Sequence, residues 1–166
     1  MVELLSVLAI GVILLAIGVP SYGYLINNSR LVGLSNGLVR ALNLARSEAI
    51  KRNVRVTVCT SSQANATPPA CDPTAGWHQG WLIFVDEGTV GDVDGSDQVI
   101  TARAHPASGA TVSTTNFSTY VSFLPSGLSQ GPSNFPNGSF RICLAGDEHD
   151  VVLNIAGRIR TSHSTC

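Results

Sequence analysis

The chain has 166 residues, with 10 basic and 11 acidic side chains. That is the length of one domain, and a net charge of −1 excludes reading a partner from bulk charge. The distribution says more: six of the ten bases lie between Arg30 and Arg55, six of the eleven acids lie between Asp72 and Asp97, and Arg158 and Arg160 stand near the end.

The chain opens on a long helical pattern over 1–54. Leu4 to Val19 is a run of apolar or small residues, and Glu3 is the only charge before Arg30. At ~1.5 Å per residue the run is ~24 Å long, and the uncharged span from Leu4 to Ser29 would cross a hydrocarbon core of ~30 Å. Leu31, Leu34, Leu38, Leu42, Ala45 and Ala49 then recur every three or four residues, an amphipathic stripe. Pro20, between the halves, removes a backbone donor and is expected to kink or open the helix. The start, Met-Val-Glu, lacks the basic n-region of a secretory signal, so the helix is read as retained. An acid at the edge of a membrane run is costly and usually functional; otherwise Glu3 sits in the headgroup layer.

Val2-Glu3-Leu4-Leu5-Ser6-Val7-Leu8-Ala9-Ile10, followed by Pro20, resembles the N-terminal helix of type IV pilins and pseudopilins. In that family a short basic leader is removed just before a phenylalanine ahead of the glutamate. This sequence begins inside the motif, so its start is expected to be truncated or miscalled, which leaves processing and N-methylation open. The resemblance implies that Glu3 pairs with a neighbouring subunit's N-terminal amine.

Val54, Val56 and Val58 alternate with polar residues, the pattern of a half-buried strand with Cys59 on its outer side. A Pro- and Ser-rich loop, 61–75, carries Cys71. Next comes Gly76-Trp77-His78-Gln79-Gly80-Trp81-Leu82-Ile83-Phe84-Val85-Asp86. It is apolar on both faces, hence a central strand covered on both sides, one cover being the Leu34/Leu38/Leu42 stripe. Both tryptophans read as core. The G-W-x-x-G-W-x-I-F-x-D pattern is similar to the GspH/FimT family of minor pilins and pseudopilins. Asp92-Val93-Asp94-Gly95-Ser96-Asp97 looks like a calcium loop, but its twelfth position is Arg103 where a bidentate Glu is required, so it reads as a polar hairpin. Further strands are expected at 97–103, 110–114 and 119–124.

The last third reads as a hairpin with its turn at Gly146-Asp147-Glu148-His149. If Leu144 faces Val151, then Val151, Leu153, Ile155 and Ile159 point inward, Arg141 lies opposite Asn154, and Arg141, Arg158 and Arg160 share the outer surface. Thr161–Cys166 is a short tail. The four cysteines Cys59, Cys71, Cys143 and Cys166 form no C-x-x-C pair, and an even count beside a membrane run points to two disulfides in an oxidising compartment. Local spacing and outward parity favour Cys59–Cys71 and Cys143–Cys166.

The histidines His78, His105, His149 and His163 are scattered without ligand spacing, and no catalytic triad, P-loop or paired-carboxylate signature stands out. The reading is therefore no enzyme, no cofactor and no metal. The strongest binding feature is Gly157-Arg158-Ile159-Arg160. Residues two apart on a strand are ~6.6 Å apart on one face, about the spacing of phosphates along a strand of nucleic acid. Arginine forks bind phosphate in a bidentate manner, and a preceding glycine lets a ligand backbone approach. The plain alternative is a charged strand edge kept soluble and unpaired.

The GspH/FimT resemblance covers essentially the whole chain and is nearest to FimT-like members linked to DNA uptake, which carry a C-terminal G-R-x-R. It implies an α+β, type IV pilin-like fold. A hydrophobic helix, 1–29, would serve the membrane and pilus core. A soluble head, 30–166, would comprise a packed helix half, 30–53, and a small antiparallel β domain, 54–166. It further implies a single-pass inner-membrane protein with its head in the bacterial periplasm, which later joins a type IV pilus. Its expected partners are major and minor pilins and double-stranded DNA bound without sequence preference, through Gly157, Arg158 and Arg160 with Arg141 as helper. Two structural roles stand beside this: a FimU-like minor pilin that primes assembly, and a type II secretion pseudopilin.

Overall fold

The computed structural model describes residues 2–95, 97–104 and 109–166, and over 14–21 the backbone course alone. Helix α1 runs Val2–Arg52, continuous in its backbone through Pro20. It ends where Asn53 turns left-handed (φ 57) and Val54 N–H donates back to Ala49 O at 3.3 Å, a six-to-one closure of the last turn. Among the described residues nine strands follow: β1 Val56–Thr60, β2 Gly80–Val85, β3 Gln98–Ala104, β4 Thr111–Thr115, β5 Tyr120–Phe123, β6 Ser129–Gln130, β7 Gly138–Leu144, β8 Asp147–Leu153 and β9 Ile159–Thr165. They form two sheets, ordered β3-β2-β1-β5-β6 and β4-β7-β8-β9, and every pairing is antiparallel. The chain is thus an α+β fold with one long helix packed on antiparallel sheets.

The two sheets share one core over the helix stripe. Leu31, Leu34, Leu38, Leu42, Ala45 and Ala49 are buried against Val56, Val58, Trp81, Ile83, Val121 and Phe123 of the first sheet and Phe140, Ile142, Val151 and Leu153 of the second. Trp77 joins them. Its indole N–H donates to Phe117 O (2.8 Å), and its ring meets Phe140 edge-on at 5.0 Å, while Phe117 stacks on Phe140. By contrast, Val2, Leu4, Leu5, Val7, Leu8, Ile10, Val12 and Ile13 are exposed on the front of α1. Among the described residues no helix is long and apolar enough to cross a membrane.

Three expectations are corrected. β1 is buried on both faces, because Cys59 packs with Ala64, Leu82 and Phe84 in a second cluster. The last hairpin turns earlier than its polar residues suggest. Ala145 (φ 54) and Gly146 (φ 95) form a two-residue turn, both left-handed as such tight hairpins require. Leu144 therefore faces Asp147 and Arg141 faces Asp150, not Val151 and Asn154, and Glu148 and His149 are buried strand residues. Finally, 154–158 is a turn rather than strand, so Ile155 is exposed, and the supposed tail is β9, paired along its length with β8.

Leu42→Ala should cost about 2–5 kcal/mol through the cavity left under both sheets, whereas Ile155→Ala, in the turn, should stay within about 0.5 kcal/mol. Denaturant midpoints of the two variants check the placement.

Candidate functional site

The site is built on the turn between β8 and β9. Asn154 closes it from within: its N–H donates to Arg158 O (3.1 Å), its carbonyl accepts Gly157 N–H (2.9 Å), and its Oδ1 accepts Arg158 N–H (2.9 Å). A short polar side chain that caps its own downstream backbone is what a turn at Asn selects. Buried Ser129, at the start of β6, ties this turn to the first sheet. Its N–H donates to Ile155 O (3.1 Å), and its hydroxyl lies 2.8 Å from Asn154 O and 2.6 Å from Pro136 O.

Gly157 is buried with φ +71. A Cβ there would stand 2.5 Å from both Arg46 Nε and Gly127 O. The glycine is therefore required by close packing against this protein's own helix and neighbouring turn, and the room expected for a ligand backbone is filled. Arg158 and Arg160 are exposed, and among the described residues neither side chain has a carboxylate partner. Arg158 belongs to the turn; Arg160 lies on β9, opposite Val152.

Arg141 is on the same outer face but not beside them. It stands on β7, two strands from β9 and level with Ser162, not Arg160. Its Nε lies 3.3 Å from Glu148 and 3.8 Å from Asp150. Its charge is thus largely answered locally; of the acids on β8, Asp150 lies diagonal to Arg160, while Asp147 and Glu148 stand toward the turn between β7 and β8.

Cys59 is joined to Cys71 (Cα–Cα 5.8 Å) and Cys143 to Cys166 (6.1 Å), the latter tying the end of β9 to β7. The one grouping of three ligand-type side chains among the described residues is Cys143, Glu148 and Cys166, and two of those are spent in the disulfide. In the 92–97 loop, Asp94 and Asp97 accept backbone N–H groups of Thr89, Glu87 and Asp94 at 2.8–3.1 Å, so these carboxylates serve the loop itself. Ser96 of that loop lies outside the described residues, as does His105. Glu3 is exposed in the first turn of α1, and Pro20 falls where side chains are not described.

Two features escaped the sequence. His149 and His163, far apart in the chain, face each other across β8 and β9 with ring centroids 4.0 Å apart; only the strand register reveals this. Arg46 is the other. It follows Leu42 by four and precedes Ala49 by three, a cation on the apolar side of the helix. Its Nε donates to Gly127 O (3.2 Å) and its Nη2 to Ala156 O (2.7 Å).

A family model described as Type II transport protein GspH matches residues 34–157. Two solved structures of the type IV minor pilin FimU from Pseudomonas aeruginosa (strain PAO1), in two crystal forms, resemble the fold. One aligns at 18% identity and TM-score 0.51 over 81% of this chain and 91% of that one; the other at 18% and 0.53 over 84% and 90%. At that identity the likeness establishes the fold alone. No curated protein matches the chain.

Burial, and then the neighbouring His163, hold the His149 imidazole below its usual pKa, with Asp147 acting the other way. A histidine harder to protonate when folded leaves stability intact above the unfolded value, about 6.5, and loses it as pH falls from there toward the folded value. Unfolding midpoints should therefore drop as pH falls below about 6.5, and His149→Gln should flatten that limb; an unchanged limb in the variant would contradict the assignment.

Proposed function

The chain belongs to the GspH family, and from that premise we propose that it is a minor pilin of a type IV pilus that binds extracellular DNA by its phosphates. The observation that carries this reading is the pair Arg158 and Arg160, exposed and, among the described residues, without carboxylate partners at the end of a turn held by Asn154 and Ser129. Arginine is always charged and presents a planar fork that suits a phosphate oxygen pair. Among the described residues no helix stands beside the pair to enter a groove, so the contacts position phosphates and carry no sequence. Arg141, paired to Glu148 and Asp150, contributes weakly, and those acids favour entry of DNA from the Gly157 end.

In this reading residues 1–29 are the membrane and pilus-core segment and 30–166 the head. The exposed apolar front of α1 suits either lipid or other helices like itself. The protein waits in the bacterial inner membrane with its head in the periplasm and then enters the fibre beside other pilins, Glu3 pairing with a neighbour's N-terminal amine. A second reading is favoured by the fold likeness to FimU: a minor pilin that primes assembly and needs neither arginine. A type II secretion pseudopilin shares that independence.

The full chain in neutral detergent should bind duplex DNA with strong salt dependence, each phosphate contact adding ~0.9 to the log–log slope. Arg158→Gln/Arg160→Gln should flatten that slope by up to ~2 units while changing stability by no more than about 1 kcal/mol. If the double variant binds like wild type across the titration, the assembly reading takes its place.

Glu3→Ala should reduce incorporation into pili while leaving the near-UV circular dichroism of the head unchanged; normal incorporation would remove the assembly role of this acid.

A further inference from the structure

We infer that Arg46 is the positioning residue of the Arg158–Arg160 pair, a clamp that sets where the arginines stand relative to the helix; the inference rests on the DNA reading above. Its guanidinium bridges two turns that belong to different sheets. Gly127 lies in the turn between β5 and β6, closed by Gly127 N–H to Leu124 O at 2.8 Å, and Ala156 in the turn between β8 and β9. Both acceptors are backbone carbonyls, and among the described residues Arg46 has no ion pair. A group that keeps its charge at every working pH is thus spent on holding backbone.

The fit around it is close, most of all where Gly157 lies against Gly127 O. Gly157 and Gly127 both have positive φ (+71 and +79), and both turns close over one turn of the helix. A Cβ on Gly157 would meet Arg46 Nε and Gly127 O, and a Cβ on Gly127 would meet Ile50 Cδ1 at 2.9 Å, Arg46 and Ile50 being neighbours on one helix face. Arg158 follows Gly157 directly, its own N–H held by Asn154. A displacement of Ala156 and Gly157 therefore carries Arg158 with it. Lysine, a single point charge, lacks the planar fork that reaches two carbonyls from fixed directions. In a fibre built on packed helices, the clamp fixes the direction in which the DNA-binding edge faces.

The test uses the full chain in neutral detergent and a short duplex as probe. Arg46→Met keeps the apolar stem and removes the donors. Amide exchange at Gly157 and Arg158 should rise by about tenfold or more as the turn opens locally. DNA affinity should fall with the salt slope kept within ~0.5 of wild type, because a lost phosphate contact would lower it by ~0.9. Arg46→Lys, which keeps the stem and the charge but lacks the fork that reaches both carbonyls, should give the same two changes in smaller measure, and it carries the test if Arg46→Met does not fold. Wild-type protection in both variants would overturn the inference. So would a slope lowered by ~0.9 with protection intact, the mark of a direct phosphate contact. Wild-type binding by Arg158→Gln/Arg160→Gln would instead remove the DNA reading, leaving exchange to judge the clamp alone.

Discussion

Both sheets bury their inner faces on one stripe of one helix, and every other feature of the head follows from that shared floor. Leu31 to Ala49 provides an apolar surface that β1, β2 and β5 have in common with β7 and β8. Burial of side chains this size is worth roughly 1.5–3 kcal/mol each, so the stripe dominates the stability of a head whose sheets are otherwise small. Trp77, Phe117 and Phe140 extend the same core.

The candidate site inherits its position from the same floor. Where the stripe ends, the turns of the two sheets converge over Arg46 and Ile50, and glycines are required because helix side chains and turn backbone already occupy the space. Of the arginines that follow, the backbone of Arg158 is held by Asn154 in the turn and Arg160 is placed by the pairing of β9 with β8. The acids on the same face are engaged: Glu148 accepts Ser164 Oγ at 2.7 Å and pairs with Arg141. The exposed front of α1 carries no such constraint within one chain, consistent with a segment whose packing partners are other molecules.

Much of this was legible because the period of the side chains was strong. The helix stripe and the two-faced apolar β2 needed only spacing, and the alternation of Phe140, Ile142 and Leu144 correctly chose the inward face of β7. The errors have physical causes. Gly146-Asp147-Glu148-His149 looked like a turn because it is polar, but Ala145 adopts a left-handed conformation that no composition rule favours. Ile155 looked inward because the alternation was carried through a turn. β9 was taken for a tail because Thr, Ser and His carry no apolar period; its order comes from pairing with β8 and from Cys166. Nothing in the spacing singles out Arg46, since a helix pattern cannot show which carbonyls two distant loops will bring above it.

The most direct test is a backbone amide map of the isotopically labelled full chain titrated with a short duplex at low salt. The account predicts shifts confined to Asn154–Arg160 and adjoining positions of β8, fading as salt is raised, with the acidic loop around Asp92 and Asp94 silent. Shifts centred elsewhere, or none at concentrations where phosphate contacts of this kind bind, would contradict it.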